Sequence, residues 1–447
     1  MHERLSLMLR SALYALRGGF LIRPFLIALF FGATGALLSY AEQYSPGLGA
    51  WIPVVLFPAH QDPQVAPAIL AGVASSMMTV VSIVFAILLM TLTLASTQFS
   101  PRILVSFVRD RSTQWTLGVF LGTFSYCMAA LPAVRSAPQP YVPTLTVLVA
   151  MLLALVCVGW LIFFINHISR AISVNHIVDR IARETELVID EIMPHPRGHY
   201  ERFEQAPPSR GGRERAILAR KSGYIRFVDV GFLVDCAKSF GVRIALERRV
   251  GQFVPAGAPI MRVAEAGRVT PQREDRLLTA IDIGPARTMQ QDVEFGIIQI
   301  VDIALRAISP AVNDPTTAIN CIDQLGRIMI VWASRSPPAS YLYGPPHVLR
   351  MAMPWIGYDG LLDTAFEQIR HYARNDVAVS LRLLRAFDDM IVAGTSFREQ
   401  QSLIDRARRV VEGCKRHLPE NDVLPLERRL TLLEGRLLQP GAGIAQA

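Results

Sequence analysis

Ala68–Leu94, AILAGVASSMMTVVSIVFAILLMTLTL, runs for 27 residues without a charged side chain. About 20 apolar residues suffice to cross the hydrocarbon core of a bilayer, so this stretch reads as a membrane-spanning helix. Three more apolar stretches lie nearby, at about Phe20–Tyr40, Trp115–Leu131 and Tyr141–Ile165. A helix satisfies its own backbone donors and acceptors, which lipid cannot do. Four transmembrane helices are therefore expected in residues 1–167. Phe20–Tyr40 is too long for the core of a cleaved signal, and the spans behind it keep the chain in the bilayer.

Basic residues between the spans are unevenly placed. Arg4, Arg10, Arg17 and Arg23 precede the first, and Arg102, Arg109 and Arg111 separate the second from the third. Arg170, Arg180 and Arg183 follow the fourth. The first–second connection holds only the acids Glu42 and Asp62, and the third–fourth connection holds only Arg135. Arginine and lysine stay on the cytoplasmic side, so both termini are expected there. Trp51, Trp115, Tyr141 and Trp160 fall near the expected boundaries, where amphipathic rings prefer to sit.

Of the net charge of +8, residues up to Asn166 contribute +4, from 8 Arg against 4 acids. The basic residues are dispersed and lack an aromatic-interleaved face, so nucleic acid is not an expected partner. The lipid bilayer is, and anionic lipid accounts for the charge balance. The 5 cysteines have neither disulfide nor metal spacing, and the histidines are scattered. No metal or other cofactor is expected.

Beyond the spans, residues 168–215 read as a helix (Ser169–Met193) and a linker rich in Pro, Gly, Arg and His (Pro194–Arg215). Residues 216–285 read as a small β-rich subdomain. Tyr224–Val230 and Val242–Arg249 are strand-like, and a helix over Val230–Phe240 stops at Gly241. The run Val250–Val263 is similar to one hairpin repeat of a biotinyl/lipoyl-type sandwich. No lysine lies between Lys238 and Lys415 to carry such a group, so a packing role is expected. Residues 286–440 read as helical, over Met289–Ile308, Ile319–Ala333, Leu361–Val392, Phe397–His417 and Leu426–Leu438. Residues 441–447 form a tail. The fold class is thus membrane α-helical plus a cytosolic α+β part.

Three motifs stand in order: Gln98-Phe-Ser-Pro-Arg102, Ser222-Gly-Tyr224, and Ile308-Ser-Pro-Ala-Val-Asn-Asp-Pro-Thr-Thr-Ala318. With the four spans, they resemble a family of predicted bacterial integral membrane proteins classed as a domain of unknown function. The resemblance runs from about Leu21 to Leu438. It implies a bacterial inner-membrane location and supplies no catalytic residues.

Three residue sets are candidates for function. At 100° per residue, Gly72, Ser75, Thr79, Ser82, Thr93 and Thr97 share one side of the second span. Such a stripe serves close helix packing or, in an assembly of several chains, a polar pore lining. No charged residue lies in that span, which speaks against a proton relay or a charge-coupled pump. Ser309, Asn313, Asp314, Thr316 and Thr317 form a corner, with Asp314 as N-cap and Pro315 as first helical residue. The same corner offers a helix N-terminus to a small polar ligand. Asp292, Gln299, Asp302 and Arg306 line a polar helix face.

The first functional expectation is a homo-oligomeric, channel-like or permeation-related assembly. The second is a membrane-anchored sensor or scaffold that binds a ligand or partner at the corner. An enzyme comes third: Asp292, Asp302 and Asp314 are available acids, but no nucleophile, base and orienting group can be named.

Overall fold

The structure, a computed structural model, describes residues 22–45, 65–98, 111–134, 143–171, 173–193, 214–336, 338–344 and 348–437, with the backbone alone at 94–98, 133 and 171. Arg4, Arg10, Arg17, most of the Gln98–Arg102 motif, residues 194–213 of the Pro194–Arg215 linker and the 441–447 tail lie outside these residues. The chain divides into two units, Met1–Ser173 and Val174–Ala447.

Among the described residues, the first unit holds four α-helices: α1 (Ile22–Tyr44), α2 (Val65–Gln98), α3 (Arg111–Ala130) and α4 (Thr144–Ala171). Three of them, over Ile22–Tyr44, Val65–Thr93 and Thr144–Arg170, are long and apolar enough to cross a membrane. The third expected span is not among them. The reason lies in its composition: α3 buries Thr113, Gln114, Thr116 and Thr123, which dilute its apolar character. These side chains are tolerated because α3 packs against α1, α2 and α4, and 12 of its 20 residues are buried. The Trp160 indole N–H donates to the Thr116 hydroxyl at 3.0 Å. The Thr123 hydroxyl lies 3.2 Å from Cys157 Sγ. Trp160 lies within α4, on the turn that meets Thr116 of α3. Glu42, expected in a connection, belongs to the last turn of α1.

The second unit opens with α5 (Val174–Ile192), which buries Ile177, Val178, Ile181 and Ile189. A β region follows: β1 (Arg215–Leu218), β2 (Gly223–Val228), α6 (Val230–Phe240), β3 (Arg243–Leu246), β4 (Phe253–Val254), β5 (Pro259–Ala264), α7 (Pro271–Leu278) and β6 (Ile281–Gly284). Asp229 caps α6 by accepting from the Phe232 N–H, and Gly241 ends it in the left-handed conformation at φ 66°. That conformation costs glycine nothing.

Among the described residues two sheets result, one ordered β4-β2-β6 and one β1-β5-β3-β8-β7. Their common core includes Ile225, Leu233, Ile244, Val254, Met261 and Met351. The expected Val250–Val263 hairpin does not pair with itself, since β4 joins one sheet and β5 the other. Strands β7 (Tyr341–Gly344) and β8 (Val348–Ala352) come from the stretch read as helical. The register Ile244↔Met351 and Ala245↔Ala352 joins β8 parallel to β3. The β region therefore extends beyond 216–285.

The remaining helices are α8 (Val293–Ala307), α9 (Pro315–Ser334), α10 (Tyr358–Leu362), α11 (Gln368–Tyr372), α12 (Val377–Val392), α13 (Phe397–Lys415) and α14 (Glu420–Leu437). A π-helical turn, Asp363–Glu367, joins α10 to α11. The expected single helix Leu361–Val392 is thus interrupted, because Asp376 caps a new helix by accepting from the Val379 N–H. The expected start of Met289–Ile308 moves to Val293 for the same reason, with Asp292 as the cap.

Candidate functional site

On α2, Gly72, Ser75, Thr79, Ser82 and Thr93 are all exposed on the surface of the chain's own helices. The side chain of Thr97 lies outside the described residues. A Cβ added at Gly72 would meet nothing within 4 Å, so packing inside this chain does not require a glycine there. The opposite side of α2 holds Leu70, Met77 and Val84 in two apolar clusters with α3 and α4.

The hydroxyls of the stripe bond locally. Thr79 donates to the Ser75 carbonyl at 3.0 Å, Ser82 to Met78 at 2.9 Å and Thr93 to Leu89 at 2.9 Å. Each of these donors is thereby satisfied without water. Beside the stripe runs a groove of about 280 Å³ between α2 and α3, bordered by Ala71, Ser75, Met78, Phe124 and Met128. The face can meet lipid, another helix or a solvated axis.

The corner between α8 and α9 is closed by its own groups. Asp314 accepts from the Thr317 N–H at 3.1 Å and from the Thr317 hydroxyl at 2.6 Å. The Thr317 hydroxyl and the Thr317 and Thr316 N–H groups hold the Asp314 carboxyl below its usual range. The Ser309 hydroxyl donates to the Arg306 carbonyl at 2.7 Å, and the Asp314 N–H donates to the Ala307 carbonyl at 2.8 Å. Asn313 takes a left-handed φ of 50°, which Asn tolerates better than most residues. Asn313 and Thr316 remain exposed.

The expected polar face of α8 is dispersed. Asp292 is 4% exposed and Gln299 7%, Asp302 is half-buried and Arg306 exposed. Asp292 is instead the buried member of a charge network, its partners half-buried, that sequence reading missed. Arg287 grips it with two bonds, Nε to Oδ2 at 2.7 Å and Nη2 to Oδ1 at 2.8 Å, and reaches Glu294 at 2.9 Å. Arg249 grips Glu294 from the β3–β4 connection at 2.9 and 3.2 Å. The Thr364 hydroxyl, on the π turn, lies 3.3 Å from Glu294. Burial works against the Glu294 charge, yet the two guanidiniums hold its carboxyl below the ordinary value. The partners lie up to 70 positions apart, and only the fold brings them together. Among the described residues, no group of three or more His, Cys, Asp or Glu side chains is placed to hold a metal ion.

Apolar helices of spanning length, joined to an α+β unit, define a membrane protein. The chain belongs to the family described as predicted membrane protein (DUF2254), whose model matches residues 17–389. It is similar to an uncharacterized protein of Mycobacterium tuberculosis, 31% identical over 408 residues, covering 90% of this chain and 75% of the relative. An uncharacterized protein of Mycobacterium bovis matches equally, with the same identity and coverage. No solved structure matches the chain.

Proposed function

We propose that this chain is the protomer of a homo-oligomeric, channel-like assembly in a bacterial inner membrane, with the α2 stripe turned toward neighbouring copies. The observation that carries this reading is the exposure of Gly72, Ser75, Thr79 and Ser82 on the chain's own surface. Small residues let helices approach closely in lipid, and hydroxyl oxygens suit a wet axis. In this reading α3 is a fourth span. Its 20 residues extend about 30 Å at 1.5 Å each, and surrounding helices shelter its polar side chains. Both termini are cytoplasmic, following the arginine distribution.

Ser82→Leu tests the reading by adding bulk to the stripe. Solute or ion flux through reconstituted bilayers should fall while the oligomer persists. A wild-type protein that is monomeric and passes nothing contradicts the proposal.

A second reading, a membrane-anchored sensor or scaffold, draws on the exposed Asn313 and Thr316 beside the N-terminus of α9. Thr316→Ala should then abolish a cellular phenotype without moving the melting temperature. A variant that behaves as wild type in both respects removes that reading.

A further inference from the structure

The end of α1 holds a charge with an unusual set of partners. Glu42 is 2% exposed and reaches the first turn of α4, 102 to 104 positions further on. Its Oε1 accepts from the Leu145 N–H at 2.8 Å and the Thr144 hydroxyl at 3.2 Å. Its Oε2 accepts from the Thr146 N–H at 3.0 Å and the Thr146 hydroxyl at 2.9 Å. The Tyr126 hydroxyl of α3 donates to the Thr146 carbonyl at 3.0 Å, so three helices converge on this turn.

The first N–H groups of a helix have no intrahelical acceptor, and its positive end favours an anion. In the second unit that need is met locally: Asp229, Asp292, Asp314, Asp376 and Ser396 each cap the helix that follows them directly. The first turn of α4 instead receives its acceptor from another helix. A cap taken from a neighbour ties two helices together, whereas a local cap does not.

Chemistry makes the tie depend on charge. A carboxylate accepts only and offers about four lone-pair directions, matching the four donors around Glu42. A glutamine of the same shape would turn its NH₂ toward one of the two backbone N–H groups and lose that bond, while the threonine hydroxyl beside it could reverse and accept.

We propose that Glu42 and the first turn of α4 form a charge-dependent clasp between the first and fourth helices of the membrane unit. The clasp holds the two helix ends in register, and replacing the carboxylate with a neutral side chain lets them part. It requires no second copy of the chain, so it stands or falls apart from the oligomer.

The test uses the full-length protein in detergent micelles, with thermal unfolding and hydrogen exchange as readouts. Glu42→Gln should lower the melting temperature by roughly 5–10 °C and raise exchange at Leu145 and Thr146. Thr146→Val keeps the charge and removes one donor, so it should give a smaller shift in the same direction. Glu42→Ala should recover part of its loss in acetate but not in chloride at equal ionic strength. If Glu42→Gln melts and exchanges as wild type does, the clasp is wrong. Unchanged exchange at α4's first turn in both Glu42→Gln and Thr146→Val overturns it equally.

Discussion

Replacing Arg287 with Ala is expected to cost the second unit about 3–5 kcal/mol, the usual penalty for removing one partner of a buried ion pair. Its loss strands Asp292, whose side chain is 3% exposed, and takes one of two cations from Glu294, at 14%. Asp292 also accepts from the Phe295 N–H at 3.1 Å, so disorder should spread into the first turn of α8. Gly251 shows how tightly the network is enclosed. At φ 87°, a Cβ there would lie 2.4 Å from Asp292 Oδ2. Gly251→Ala should therefore destabilise the same region.

The network also predicts a pH dependence. Glu294 titrates below its ordinary value of 4.5 in the folded protein. A carboxyl depressed on folding contributes stability above its unfolded value and loses it as pH falls through the folded one. The wild type should thus lose stability below about pH 4.5, and Glu294→Gln should flatten part of that slope. Hydrogen exchange at α8 in the full-length protein reads both effects. Wild-type protection at α8 in Arg287→Ala would refute this account of the network.

The second large effect is expected at Gly35, in the contact between α1 and α3. A Cβ there would stand 2.6 Å from the Tyr126 carbonyl oxygen and 3.1 Å from its Cα. Backbone atoms cannot rotate away, so the two helices must separate. Overpacking of this kind costs typically 1–3 kcal/mol, and Gly35→Leu should exceed Gly35→Ala. Gly72→Ala is the matched control, since its Cβ would enter open space and should leave the melting temperature unchanged. Equal melting of Gly35→Ala and Gly72→Ala in detergent would contradict the close α1–α3 contact.

How much of this was legible depends on the range over which each interaction acts. The three long apolar helices follow from composition, and α6 with its Gly241 stop follows from local signals. The Asp314 cap was readable because Asp-Pro at a helix start acts over three residues. Strands β7 and β8 were not readable, because the pair joins its sheet through β8 alone, on β3 about a hundred positions earlier. The break at Asp376 was missed because Leu361–Val392 keeps a helical period on both sides. Arg249, Arg287 and Glu294 carry no local signal, and only the fold, which half-buries all three around Asp292, gives them meaning. Glu42 was hidden by the opposite error, assignment to a connection from where apolarity fades. The α2 stripe was visible from periodicity alone, but not whether the chain's own helices would cover it.

Cross-linking between copies in native membranes tests the proposed assembly most directly. The native cysteines Cys127, Cys157, Cys236, Cys321 and Cys414 are all buried, so an added thiol on the α2 face stands out. Under oxidation, Ser82→Cys and Thr79→Cys should each give disulfide-linked dimers. Phe163→Cys, at an exposed position on α4, should give few or none. Monomers at all three positions, or equal linkage from Phe163→Cys, would contradict an assembly built on the second span.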